Sequence, residues 1–199
     1  MSSTAGPYGL VPFDLVGGAP LGTARAYTLS SNSATGYFAG DIVNMAAGVL
    51  TPIAATPTTT RNGNTPVGIF IGCEYTPAGG GLPVSGQYLP ANAITGGATN
   101  VIAYVIDNPD VRFKIQADGS VAYTDIGKNA ALSFTTVGST FTGNSGVALD
   151  QSTIDTTNTL AVRIVDIAPG PGNAAGDAYT DVICVFNAGV HEYRNPTGA

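Results

Sequence analysis

Apolar and polar residues alternate with the two-residue period of half-buried strands along most of this chain. The alternation is strictest at 111–116 (VRFKIQ). Residues 67–75 (VGIFIGCEY) are apolar on both faces at their centre, as a buried strand should be. Further strands are expected at 27–30, 37–45, 49–53, 87–90, 100–107, 121–123, 160–167 and 181–187. Turn signals separate them: SNSATG at 31–36, a polar loop at 55–66, glycine-rich runs at 76–86 and 168–179, and an Asp118-Gly119 hairpin turn. No window of a dozen residues carries a 3.6-residue period. The best helical candidate is the short stretch 126–132. Short strands punctuated in this way predict an all-β fold, a β-sandwich or barrel, with a core built on 67–75, 100–107, 160–167 and 181–187.

The first 25 residues break the pattern. Pro7, Pro12 and Pro20 forbid a continuous helix or a central strand, yet Tyr8, Leu10, Phe13 and Leu15 are apolar and need cover. Such a segment reads as an extended arm, followed by a β-rich domain over 26–199. Its apolar residues would lie on its own domain or on a neighbouring molecule, and we expect a clamp of the second kind. A faint echo between GDIVNMAAGVLTPI and TDIGKNAALSF suggests two related β-lobes, 26–107 and 108–199. Coincidence in a Val/Gly/Ala-rich chain is the other reading.

Composition narrows the classes of function. Only 10% of the 199 residues are charged, against roughly 25% in an ordinary domain, while 44% are hydrophobic. A net charge of -6 with seven basic residues argues against nucleic-acid binding. No apolar run reaches the ~18 residues of a membrane-spanning helix, and the N-terminus lacks the basic and apolar regions of a signal peptide. Neither membrane nor nucleic acid is therefore an expected partner. Cys73 and Cys184 are too few and too far apart for a disulfide framework or a zinc pattern, and read as free thiols.

The catalytic repertoire is thin: one histidine, two glutamates and two lysines. His191 and Glu192 are neighbours in sequence, so on a strand they point to opposite faces, and the histidine reads as a surface or interface residue. Tyr193 and Arg194 beside it are types favoured at contact hot spots. Asp107, Asp110 and Asp118 raise the question of a calcium site, but their spacing matches no EF-hand loop and Asn108-Pro109 and Asp118-Gly119 are ordinary turn formers. The runs Gly79-Gly80-Gly81 and Gly96-Gly97 lack the following helix and Lys-Ser/Thr of a phosphate cradle. We expect no enzyme, no cofactor and no metal.

Several segments together resemble small structural proteins of tailed bacteriophages, the capsid decoration or cement proteins. They are PYGLVPFDLVGGAPLGTARAYTL, YFAGDIVNMAAGVLTPI, PVGIFIGCEYTP, VIDNPDVRFKIQADG and the ending 182–187. The resemblance implies a virion protein on the exterior of an icosahedral phage capsid, assembled in the host cytoplasm. It implies the major capsid protein as partner and self-association as a homotrimer. Contacts would then fall on Tyr8, Leu10, Phe13 and Leu15 of the arm and on His191, Tyr193 and Arg194 of the C-terminal segment. The alternative is a receptor- or glycan-binding β-module of a head fibre or tail, with Tyr37, Tyr75 and Tyr88 as the aromatic platform.

Folding should need neither metal nor disulfide. A chelator and a reductant should each leave the melting temperature unchanged. A drop of many degrees with either would mean that the aspartates or the cysteines were misread.

Overall fold

The computed structural model describes residues 4–29, 36–46, 48–57 and 65–196. All of the turn expected at 31–36 except Gly36, and most of the polar loop expected at 55–66, lie outside them. The first sheet has six strands in the spatial order β1 (Val11–Leu15), β10 (Val111–Gln116), β14 (Asp181–Phe186), β13 (Val162–Ile167), β11 (Asn129–Ser133) and β12 (Ala148–Asp155). The second runs β2 (Arg25–Thr28), β9 (Thr99–Ile106), β6 (Pro66–Thr76), β4 (Ile42–Ala46) and β5 (Val49–Pro52), with β7 (Val84–Gly86) beside β6. A small third sheet pairs β3 (Tyr37–Phe38) with β8 (Tyr88–Leu89). The strand pairs are antiparallel, and the only helical pieces among the described residues are single 3-10 turns at Tyr123–Asp125 and Glu192–Arg194. The chain is an all-β sandwich.

The period-two pattern explains the layers. On β10, Val111, Phe113 and Ile115 face inward, while Arg112 and Lys114 face outward. Val182, Cys184 and Phe186 of β14 and Val162 and Ile164 of β13 continue that inner face. Ile42, Ile69 and Ile106 reach into the same core from the second sheet, so the two sheets share it. The opposite face of the second sheet, with Val43, Phe70, Cys73, Ala103 and Val105, packs on Tyr37 and Leu89 of the small sheet to form a second core. Val185 is only half-buried because it lies on the outward side of its strand, and Ile71, at a bulge in the β6–β9 register, packs partly against the shared core. After β2 the chain changes between the two large sheets once, at residues 107–110.

Four sequence expectations are corrected. Residues 126–132 form no helix: Lys128 begins an extended path into β11, whose backbone pairs with β12 and β13. The Asp118-Gly119 hairpin and a strand at 121–123 do not form, because Ala117 N–H donates to Thr180 O and Asp118 N–H to Leu149 O, carrying the chain across the sheet rather than back on itself. The strand β12 was not foreseen at all. The fourth correction concerns the arm. Its residues 11–15 are the edge strand of the protein's own first sheet, paired with β10. An edge tolerates Pro12, and the Arg112–Asp14 ion pair across the β1–β10 register ties it down. Leu10 is completely buried in the shared core, so it is a core residue and not an intersubunit contact.

Leu10→Ala should accordingly cost about 2–5 kcal/mol of unfolding free energy in the isolated chain, read by denaturant titration. An arm docked on another molecule would leave that stability unmoved.

Candidate functional site

Three segments meet where β1 begins. Gly9 N–H donates to Val147 O at 3.2 Å and Leu10 N–H to Gly40 O at 3.1 Å. Ala39 N–H reaches Gly143 O at 2.8 Å, and Ser145 N–H reaches Ala39 O at 2.8 Å. The turn 139–144 is also tied internally, by Ser139 N–H to Asn144 O and Gly143 N–H to Ser139 O. A Thr142 N–H bond to Ser139 Oγ and an Asn144 N–H bond to Thr142 Oγ1 add to it. Nothing in this bonding covers its apolar side chain: Phe141 is 96% exposed, and Val137 just before the turn is 83% exposed.

Tyr8 stands between two clefts of this face. One, of about 420 Å³, is lined by Tyr8, Val11, Pro12, Ile71, Gln87 and Asn144. The other, of about 330 Å³, is lined by Pro7, Tyr8, Thr136, Val137, Ser139 and Asn144. The Tyr8 ring lies under Lys114 Nζ, 5.7 Å from its centroid, and Lys114 pairs with Asp181 at 2.9 Å. Burial first, and the Asp181 charge second, push the Tyr8 phenol well above its ordinary range. Tyr8 is thus half-buried on its own sheet, Phe13 is exposed on the edge strand, and Leu15 packs partly on the core. The anchors expected on the arm do not form one surface.

The C-terminal candidates gather elsewhere, over the crossover between sheets. Asp107 Oδ2 accepts from Tyr27 Oη at 2.8 Å, Tyr193 Oη at 2.9 Å and Arg25 Nη1 at 3.3 Å, and Arg194 donates to Asp110. Burial alone would raise the Asp107 carboxyl, but the bonds from Tyr27, Tyr193 and Arg25 together outweigh it and hold it below the usual carboxylate range. Tyr193 and Arg194 are therefore engaged by their own chain, as a latch that pins the last 3-10 turn. Asp118 is not part of this cluster and caps Gln151 N–H instead. No group of three or more His, Cys, Asp or Glu that could hold a metal is present among the described residues.

His191 is not at the surface. It is 2% exposed, between the rings of Phe186 and Tyr193. Its Nδ1 accepts from Tyr193 N–H, which leaves the proton on Nε2, shut away from water beside the Val67 carbonyl but outside hydrogen-bonding geometry. Desolvation lowers its pKa to about 4. The thiols are buried too, and burial pushes Cys73 up to about 11 and Cys184 up to about 12. Of the three tyrosines named for glycan stacking, Tyr37 is enclosed in the second core, donating to Leu50 O, while Tyr88 stacks on Phe38 and Tyr75 packs half-buried against that core. Phe141 and Val137 were missed in the sequence. The available signal was a lone aromatic within the polar run GSTFTGNSG.

Protein-family models, curated proteins and solved structures were compared with the chain, and none matches. No helix among the described residues is long and apolar enough to cross a membrane.

The buried histidine sets a pH dependence. Its folded pKa of about 4 lies below the unfolded value near 6.5, so the unfolded chain binds the extra proton between them. The neutral ring's contribution is complete above pH ~6.5 and fades as the pH falls through that interval, by roughly 3 kcal/mol in all. Melting temperature followed from pH 7 downward should fall less steeply in His191→Gln than in the wild type; parallel curves would refute the assignment.

Proposed function

We propose that this protein is a capsid decoration protein. In this reading it binds the outer surface of an icosahedral phage shell as a homotrimer, contacts the major capsid protein and bridges neighbouring capsomers. The resemblance supplies the class, the shell and the trimer. The observation that carries the reading is Phe141, displayed almost fully exposed on a turn whose backbone is tied both to itself and to Ala39. A bulky side chain held out on a pinned backbone is pre-ordered for docking and loses little entropy when it binds. Burying Phe141 and Val137 would each contribute about 1.5–3 kcal/mol before ordering costs, and many copies on one particle multiply the effect. A net charge of -6 suits the outside of a particle whose interior holds DNA.

The role is one of contact and not of chemistry. The single histidine of the sequence is enclosed, with one nitrogen already accepting from the backbone.

Co-sedimentation with purified shells of the encoding phage tests this. The wild type should pellet with the shells. The double variant Phe141→Ser, Val137→Ser should keep its melting temperature and bind about tenfold more weakly or worse. Binding to host cells but not to shells would replace this reading with the receptor-binding one.

A further inference from the structure

A third hollow opens near Val137, at the mouth of the sandwich. Its volume is about 150 Å³. Phe38, Pro52, Ile53, Phe134 and Val147 make apolar walls, and Asp41 with Ser145 supplies the polar groups. We propose that this pocket is a subsite for a lysine side chain of a partner protein, with its methylenes along the walls and its ammonium on Asp41. The proposal extends the contact face described above but rests on the pocket alone.

Three observations support it. First, Asp41 is held in place from below: its Oδ2 accepts from Phe38 N–H at 2.8 Å, and the Ser145 hydroxyl is a second hydrogen-bonding neighbour. The carboxylate is fixed before any ligand arrives. Second, no cation among the described residues offsets it. Burial raises its pKa, and its hydrogen bonds to Ser145 and Phe38 N–H counter that only in part. The described basic residues are engaged elsewhere: Arg25 with Asp107, Arg112 with Asp14, Lys114 with Asp181, Lys128 with Asp125, Arg194 with Asp110 and Arg163 with Asn129. Arg61 lies outside the described residues. An incoming positive charge would relieve a desolvated negative one, which is the condition under which a buried pair forms favourably.

Third, the shape selects the kind of cation. A carboxylate that already accepts from a backbone amide and a hydroxyl has two of its roughly four lone-pair sites taken, and a guanidinium fork would need both that remain, correctly placed. An ammonium is a compact charge that needs only one open lone pair, and its four-carbon stem buries well on apolar surface. Val137 lines both this pocket and the cleft beside Tyr8, so a partner seated over Phe141 and Val137 would carry its side chains to the mouth.

The test needs no shell. n-Butylammonium, the lysine side chain in isolation, is titrated into the full-length protein at constant ionic strength while the methyl resonances of Ile53 and Val147 are followed by NMR. A saturable shift is expected, with n-butanol and n-butylguanidinium both binding more weakly. Asp41→Asn keeps an acceptor oxygen for Phe38 N–H and should weaken n-butylammonium binding about tenfold or more. Ala54→Phe, on the exposed rim, closes the mouth without touching Asp41 and should abolish binding, which keeps the test decisive if Asp41→Asn folds poorly. Equal binding of n-butanol, or unchanged binding in a folded Asp41→Asn, overturns the proposal. So does the lack of a saturable shift in the wild type; if Arg61→Ala alone then binds the amine, the pocket belongs to the chain's own arginine. Failure of capsid co-sedimentation leaves this result untouched, so the two readings fail separately.

Discussion

The contact between Gly9 and Gly40 governs how the face around Tyr8 is built. Both residues have positive φ, +76° and +93°. A Cβ on Gly9 would stand 2.7 Å from Gly40 O, and one on Gly40 would stand 2.8 Å from Tyr8 O. Only two residues without side chains allow these backbones to meet, and the hydrogen bond from Leu10 N–H to Gly40 O lies in the gap they leave. Three consequences follow from that single approach. Leu10 drops into the shared core, β1 is launched along the open edge of β10, and the 143–147 segment is drawn in to bond Gly9 and Ala39. The clefts on either side of Tyr8 are the space left around this crossing. Asp41, the residue after Gly40, is delivered by the same corner to the floor of its pocket.

Where apolar residues alternate or run together along a strand, its sequence announced it. β10, β13 and β14 each bury alternate residues, and β6 and β9 carry the apolar density of strands covered at their centres. β12 gave no such signal because its second half, on the sheet edge, is mostly polar and half-exposed on both faces. The helical candidate at 126–132 failed for the opposite reason. Its alanines favour a helix locally, but Asn129 is buried, donates to Thr157 O and accepts from Arg163 Nε, and Ala130 and Leu132 enter the core from an extended backbone. Those partners are 28 and 34 residues away, beyond the reach of any local window.

The contact surfaces were legible only in part, for a related reason. Tyr193 and Arg194 were marked by residue type, yet type says nothing about whether a hydroxyl or guanidinium already has a partner. The fold supplies those partners from positions more than 80 residues distant, Asp107 and Asp110. The prolines and glycines of the first 25 residues correctly excluded a helix, but an edge strand and a free arm share that composition. What separates them is the second strand, β10, whose outer side would otherwise be unpaired. The Asp14–Arg112 pair lies in the β1–β10 register, and no feature of residues 1–25 read alone reveals it.

The scarcity of charge gives the last step. Of seven basic residues in the sequence, six are described, and five of those six are ion-paired with the chain's own carboxylates while the sixth bonds Asn129. Those pairs serve the fold: one fastens the edge strand, two close the crossover between sheets. A surface organised in this way has little positive charge left for recognition, and its net charge repels nucleic acid and other acidic partners. Specific attraction must then come from what the fold leaves unsatisfied. On this face that means apolar side chains without cover, Phe141 and Val137, and one desolvated carboxylate, Asp41, with no cation among the described residues. These two kinds of deficit are what the proposed partner, an apolar protein surface bearing a lysine, would complement. Both are set in place by the backbone corner at Ala39–Asp41, which bonds the 143–145 segment on one side and carries Asp41 on the other.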